Sequence, residues 1–382
     1  MQNRKILNKK LFVTSRDAAS ANDLCQVLPS FLTSGNFIIK IAAQEPAYSI
    51  IKKKFFHYDI FQLSIELIQS NADAFRAISL LLVKFNPELL LTGISSSIDY
   101  GVDEIALQYV SSDINTSNRI STFSIQSYWG DLNMSLGFAA DTIFVLDLFA
   151  RTETLNKLPN CKVIITGSLQ DEKYNSVTVL QDEDRFLSKI NSKEAKVIGF
   201  FGQPLFEYDW YKSTLLTFFK ELSALPFPIK VLYKPHPKET SKSIDWTNEA
   251  IGNVDKNFVF ADKDDVLKSL LKTDIAISLF STVGYDLQNI LARSPIPFSV
   301  PLYLFFEKGC KDWFFKYCHL NEIPMTRKSM ALVVTESKDI SLMICRGLGR
   351  DFQSICHDSV KNNISIPTGS ASDIVFNEIY SA

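Results

Sequence analysis

The sequence predicts an α/β protein of two Rossmann-like domains whose parallel sheets face each other across a cleft. Three observations lead there. The chain has 382 residues, which suits two domains of roughly 150 to 200 residues better than one. Short β-rich runs alternate with helix-length apolar periodicity, the pattern of a parallel sheet with helical crossovers. That pattern gives way to a polar stretch near 170–194 and then restarts at Lys196.

The first domain is expected over 1–170. Its opening strand is Lys10 to Thr14, followed by the turn Ser15-Arg16-Asp17-Ala18-Ala19-Ser20. Asn22 to Leu32 carries Leu24, Val27, Leu28, Phe31 and Leu32 at helical spacing. Phe37 to Ile41 returns as a strand, with helical crossovers at 45–54 and roughly 64–85. Pro87 to Gly93, Arg119 to Gln126, Thr142 to Leu146 and Lys162 to Gly167 complete the sheet.

The second domain is expected over 195–360. It begins with the strand Lys196 to Phe201, the turn Gly202-Gln203-Pro204, and a helix whose Leu215, Phe218, Phe219, Leu222 and Leu225 share one face. Strands follow at Ile229 to Tyr233, Phe258 to Phe260 and Asp274 to Phe280, with a helix at Val266 to Leu271. The segment 361–382 is expected to return to the first domain as a helix from Ser370 to Tyr380. Two doubly wound sheets bind ligands at the carboxyl ends of their strands.

Composition narrows the function. With 40 basic and 42 acidic residues, mixed along the chain, and a net charge of −2, there is no basic footprint for nucleic acid. The apolar run at Ile78 to Val83 is broken by Lys84, well short of the ~18 residues a membrane span requires. The basic N-terminus has no signal-peptide core behind it. Six cysteines without paired spacing read as reduced thiols in a cytoplasm, and Cys356-His357 lacks the partners of a zinc site. The aromatic stretch Tyr303, Phe305, Phe306, Trp313, Phe314, Phe315 and Tyr317 is read as core packing, or else as an acceptor lip or a peripheral contact with the inner face of the cell membrane.

The chemistry is expected at two motifs. Tyr233-Lys234-Pro235-His236-Pro237-Lys238 follows a strand directly. Its prolines stiffen the loop, and Lys234, His236 and Lys238 place positive charge where a phosphate leaving group would develop negative charge. Ser281-Thr282-Val283-Gly284-Tyr285-Asp286 follows the most apolar strand and opens a helix. There Ser281 or Thr282 caps, the free N–H groups suit an anion, and Gly284 admits a bulky ligand. Read alone, each motif is equally a turn or a helix cap.

Together, Lys-Pro-His-Pro and the later strand-Ser-Thr-x-Gly resemble the paired motifs of bacterial GT-B sialyltransferases and the related capsule Kdo-transferases. The resemblance covers residues 196 to 300. It implies a GT-B fold and nucleotide and phosphate binding by His236, Ser281 and Thr282; Lys234, Pro237, Lys238, Gly284 and Asp286 of the same motifs, with Gln203, are the further candidate donor contacts. It implies a CMP-activated acidic sugar as donor. A similar His-Pro loop occurs in transferases using CDP-glycerol, and nucleotide-sugar 2-epimerases share the fold.

For the acceptor and the base, the first domain offers two regions. Arg16-Asp17-Ala18-Ala19-Ser20-Ala21-Asn22 resembles the Asp-x-Gly-x-Ala-Asn turn of several GT-B proteins, with Ala in place of Gly. Thr92-Gly93-Ile94-Ser95-Ser96-Ser97, leading to Asp103-Glu104, resembles a Thr-Gly-x-Ser…Glu arrangement in polysaccharide-assembly transferases. Asp17, Asp103 and Glu104 are the candidate bases. An Asx-turn accounts equally for Asp17, and an acidic first helical turn for the other two. The Asp/Glu-Asp/Glu-Gly base motif of sialyltransferases is absent. Arg16, Ser95 and Trp129 are candidate acceptor contacts, with packing the alternative for Trp129.

The expected activity is inverting, metal-independent transfer of a sugar from a nucleotide donor to a hydroxyl of a glycan or lipid-linked glycan. Metal independence is expected on the reading that the sequence holds no Asp-x-Asp tripeptide for a donor-linked divalent ion, and no cofactor beyond the nucleotide-sugar co-substrate is called for. A nucleotide-sugar 2-epimerase, a CDP-glycerol-type transferase and a non-catalytic binding module remain the alternatives.

Overall fold

A computed structural model describes residues 8–58, 60–62, 71–95, 99–111, 119–175, 195–261, 265–366 and 368–382. The N-terminal basic run, the start of the crossover helix expected from 64, Ser96 and Ser97, and most of the expected linker lie outside these residues. The chain divides into two compact units: Met1–Glu172 with Tyr317–His319 and Ser365–Ala382, and Lys173–Lys316 with Leu320–Ile364.

The first unit runs β1 (Lys9–Ser15), α1 (Ala18–Ser34), β2 (Phe37–Ala43), α2 (Ala47–Lys54), β3 (Ile60–Gln62), α3 (Asn71–Phe85), β4 (Leu89–Gly93), α4 (Val102–Ser111), β5 (Ser121–Ile125), β6 (Thr142–Val145), α5 (Leu148–Lys157) and β7 (Lys162–Ile165). Its sheet has the order β3-β2-β1-β4-β5-β6-β7, and every pairing is parallel. Strands covered on both faces read as continuous apolar runs, and all five residues of β4, Leu-Leu-Leu-Thr-Gly, are buried. One face packs on α1 through Leu24, Leu28 and Phe31, the other on Ile78, Leu82 and Ile105 of α3 and α4.

After α6 (Asp171–Asn175), the second unit runs β8 (Lys196–Phe201), α7 (Asp209–Ser223), β9 (Ile229–Lys234), α8 (Ser241–Gly252), β10 (Val259–Phe260), α9 (Val266–Leu271), β11 (Ile275–Ser278), α10 (Val283–Arg293), β12 (Pro301–Leu304), α11 (Lys308–Cys318), β13 (Leu332–Val334), α12 (Ile340–Leu348) and α13 (Arg350–Asn363). The order is β10-β9-β8-β11-β12-β13, again all parallel. Both sheets therefore reverse direction of winding beside their first strand, between β1 and β4 and between β8 and β11. Doubly wound sheets place their ligand crevice at this point.

The last helix, α14 (Ala371–Ser381), belongs to the first unit. Ala371, Val375 and Ile379 enter the same core as α1, and Phe376 packs on Phe31 and Phe37 with ring centroids 5.1 and 6.0 Å apart. Among the described residues no helix is long and apolar enough to cross a membrane. All six cysteines are unpaired.

Candidate functional site

At the first unit's switch point, β1 and α4 are joined by charge. Asp103 accepts from the Thr14 hydroxyl at 2.6 Å and from the Arg16 backbone N–H at 3.1 Å, one bond on each carboxylate oxygen. Glu104 accepts the Gly101 N–H at 2.6 Å and faces the Arg16 guanidinium at 3.7 Å. Its side chain thus reaches back to the residue before the helix and satisfies a donor that the helix leaves open. Gln44, directly after β2, accepts the Val102 N–H at 2.8 Å and completes the cap.

Asp103 and Glu104 were expected to face a cleft as candidate bases. They are instead 1% and 3% exposed. Burial, and for Asp103 the neighbouring Glu104, push both carboxyls above their ordinary range, Asp103 to about 8. Asp103, holding its proton at neutral pH, cannot accept one from a hydroxyl, and Glu104 is committed to the Gly101 N–H and the Arg16 guanidinium. Both residues are better understood as the frame that fixes Arg16 and starts α4.

Asp17 is placed differently. It is half-buried at the N-cap of α1 and accepts the Ala19 N–H over a long 3.4 Å, which leaves it the most accessible of the three carboxylates. Arg16 also donates to the Asp99 carbonyl, and its Nε has no partner among the described residues. Ser95 is buried. Trp129, read as a possible sugar platform, is 2% exposed and donates its indole N–H to Asp147 at 2.7 Å. Asp147 caps α5 at the same time through Ala150 N–H, so Trp129 packs and does not line a surface.

In the second unit Gln203 spans the switch point. Its Oε1 accepts the Leu279 and Phe280 N–H groups at 3.0 and 3.2 Å, and its own N–H donates to the buried Tyr211 hydroxyl at 3.1 Å. It ties the end of β8 to the end of β11 and is itself buried.

The His236 loop is fixed by Glu239. This carboxylate accepts the His236 N–H at 2.7 Å and the Tyr233 and Ser243 hydroxyls at 3.1 Å each, while its own N–H donates to the His236 carbonyl at 2.9 Å. Burial raises its pKa. Gly202 makes the arrangement possible, since a Cβ there would lie 2.1 Å from Glu239 Oε2. Sequence reasoning missed Glu239. Its signal was a carboxylate just past Lys-Pro-His-Pro-Lys and just before the α8 cap Thr240.

The consequence falls on the imidazole. His236 Nδ1 accepts the Lys238 N–H at 3.0 Å, so that nitrogen carries no proton and the neutral ring holds its proton on Nε2. Burial, followed by the charge of Lys238, lowers the pKa further below the protonated form's range. His236 is therefore a fixed neutral donor, half-buried, with the exposed Pro237 and Lys238 beside it and Lys234 at the end of β9.

At the start of α10, Ser281 Oγ accepts the Val283 N–H at 3.3 Å, while Thr282 is exposed and makes no capping bond. Two expectations at this helix are corrected. Gly284 does not make room for a ligand: a Cβ there would lie 1.8 Å from the hydroxyl of the fully buried Tyr303, so the space belongs to the core. Asp286 is engaged by Tyr174 at 2.5 Å and Lys173 at 3.4 Å, which anchor α6 on α10. The aromatic stretch is mostly packing: Tyr303, Phe305 and Phe314 are buried, and Phe315 is exposed.

Among the described residues no group of His, Cys, Asp and Glu is arranged to hold a metal. Asp-x-Asp tripeptides do occur away from the two motifs, at Asp182-Glu183-Asp184 and Asp262-Lys263-Asp264. Both lie outside the described residues, and the sequence argument for metal independence does not extend to them.

The fold has solved counterparts. The Staphylococcus aureus MnaA–UDP complex is 12% identical, covering 98% of this chain and 96% of that one, with a TM-score of 0.65. A UDP-GlcNAc 2-epimerase from Neisseria meningitidis bound to UDP-GlcNAc is 12% identical over 98% and 100%, with a TM-score of 0.62. MurG from Acinetobacter baumannii is 10% identical over 98% and 100%, also at 0.62. No protein-family model and no curated protein matches the sequence. The fold is GT-B, with two parallel α/β sheets, in agreement with the sequence prediction.

Proposed function

We propose that this protein is a glycosyltransferase that takes a sugar from a nucleotide donor and transfers it, with inversion, to a hydroxyl of a glycan. The observation that carries the reading is the His236 loop. A rigid neutral Nε2–H donor, with Lys238 beside it, suits the phosphate oxygen that gains charge as the bond to the anomeric carbon breaks. Thr282 at the α10 N-terminus adds an uncommitted hydroxyl for the same group. Asp17 is the base we assign for the acceptor proton, because Asp103 and Glu104 are buried and committed to Thr14, Gly101 and Arg16.

The finer donor assignment, a CMP-activated acidic sugar, rests on the Lys-Pro-His-Pro and Ser-Thr resemblance. The UDP in the MnaA complex supports UDP as the competing nucleotide. The acceptor we assign is a glycan or lipid-linked glycan, reached from the cytoplasm, with no cofactor besides the co-substrate. A second reading, nucleotide-sugar 2-epimerase, is favoured by the likeness to the Neisseria enzyme.

A thermal-shift screen against CMP, CDP, UDP, GDP and ADP tests the core of the proposal, since a ligand bound only by the folded state raises its stability. One pyrimidine nucleotide should stabilise the protein, and His236→Ala should lower turnover by about 10²- to 10³-fold, as loss of one oxyanion donor does. Release of free sugar without an acceptor would select the epimerase. A protein indifferent to all five nucleotides would sink both enzyme readings.

A further inference from the structure

One cavity of the second unit takes no part in the site described above. It has a volume of about 440 Å³, within the range of small-molecule pockets. It opens at the carboxyl ends of β12 and β13, where Phe305 follows one strand and Thr335 the other. Three phenyl rings, Phe305, Phe314 and Phe315, meet a polar wall of Asp312, Asn321 and Glu322. Phe305 and Phe314 are buried and set edge to face at 5.3 Å, while Phe315 is 59% exposed.

The chemistry of this lining selects a ligand class. Two carboxylates oppose the single Lys311, whose ammonium already donates to the Thr335 carbonyl at 3.4 Å, so a phosphate-bearing ligand is repelled. Carboxylates and an amide accept from hydroxyl groups, and phenyl faces cover the apolar side of a ring. Glu322 is held by Arg327 at 2.8 Å, which leaves Asp312 as the carboxylate with no ion pair among the described residues. A neutral saccharide meets all of these conditions.

Position separates this ring from the sugar of the donor. Phe280, the residue before Ser281, packs on Trp313 and Phe314 of α11 at centroid distances of 5.1 and 5.4 Å. Phe314 thus touches the residue before Ser281 and also lines the cavity. β12 lies one strand from β11, about 5 Å away, and neither Phe280 nor Ser281 lines the cavity. We infer that it is a subsite for a neutral saccharide unit of the acceptor. The inference rests on the transferase reading for its role, and on the cavity alone for its chemistry.

Saturation-transfer NMR on the full chain, with N-acetylglucosamine, galactose and lactose as probes, tests it alongside the UDP and CMP thermal shifts. Phe315→Ala and Asp312→Asn lie at exposed positions and leave the core intact. The wild type should give transfer to at least one saccharide. Affinity should fall about three- to tenfold in Phe315→Ala, the size of one aromatic contact, and less in Asp312→Asn, with the nucleotide shifts unchanged in both. Saccharide signals that are absent, or equal in all three proteins, overturn the inference while a nucleotide shift upholds the transferase reading. Loss of the nucleotide shift together with the saccharide signal overturns the separation from the donor site. Saccharide signals that respond to the variants in a protein blind to nucleotides leave the cavity assigned and the transferase reading refuted.

Discussion

Both sheets wind in the order 3-2-1-4-5-6, and the first adds a seventh strand, yet their two switch points are furnished in opposite ways. Between β1 and β4 the protein buries two carboxylates around one guanidinium, and every bond there serves the protein itself. Between β8 and β11 a neutral glutamine closes the seam, and the neighbouring loop fixes the imidazole tautomer under the control of a half-buried carboxylate. The same topology yields a charged brace in one unit and a fixed neutral donor in the other. The lesson is that location at a switch point does not by itself make a polar residue a ligand contact.

The sharpest way to break this contrast is Arg16→Met. Removing the cation that faces the buried Glu104 should cost about 3–5 kcal/mol, the usual penalty for stranding half of a buried ion pair, read from the urea midpoint. The pH dependence has a definite sign. Asp103 rises from an ordinary 3.8 to about 8 on folding, so between those values the folded state binds more protons than the unfolded. Its contribution to stability therefore falls as pH rises from 4 to 8 and levels off above. In Arg16→Met that decline should extend to higher pH. His236 has the opposite sign, because its pKa is lowered from 6.5: what it contributes is present above 6.5 and is lost as pH falls. If the midpoint of Arg16→Met matched wild type, the brace would be no brace.

A smaller effect is expected from Gly202→Ala. The new Cβ must displace Glu239 Oε2 from 2.1 Å, and overpacking of this kind costs about 1–3 kcal/mol. Because Glu239 also holds the His236 N–H, the nucleotide-induced thermal shift should weaken with it. Unchanged nucleotide response in a destabilised Gly202→Ala would mean that the loop needs no support from Glu239.

The least disturbing change is Lys238→Ala. Lys238 is exposed, so stability should move by less than about 1 kcal/mol. Nucleotide affinity should fall a few-fold at low salt and less at high salt, as expected for a screened charge. A salt-independent loss would point instead to a change in the shape of the loop and not to the charge.

How far the sequence carried the fold depends on the length of each apolar run. β4 and β11 were legible because four or more consecutive residues are buried there. β3 and β13 were missed because strands of three residues leave no period to detect, and β12 was missed although all four of its residues are buried, because its Leu-Tyr-Leu run merges with the aromatic stretch that follows. At the site, the Lys-Pro-His-Pro loop could be placed at a strand end from its neighbours alone. What could not be read was the partner of each polar group, since that is fixed by residues distant in sequence. Gly284 is required by Tyr303, Trp129 by Asp147, and Asp103 by Thr14, 89 positions away.

The packing of α14 also sets a timetable for synthesis. Val375 and Ile379 complete a core begun by Leu11, Val13 and Leu24, so a ribosome must translate the whole second unit before the first can close. Domains ordinarily fold in the order in which they emerge. Here the face of α1 that receives Val375 and Ile379 stays uncovered until the second unit has been translated.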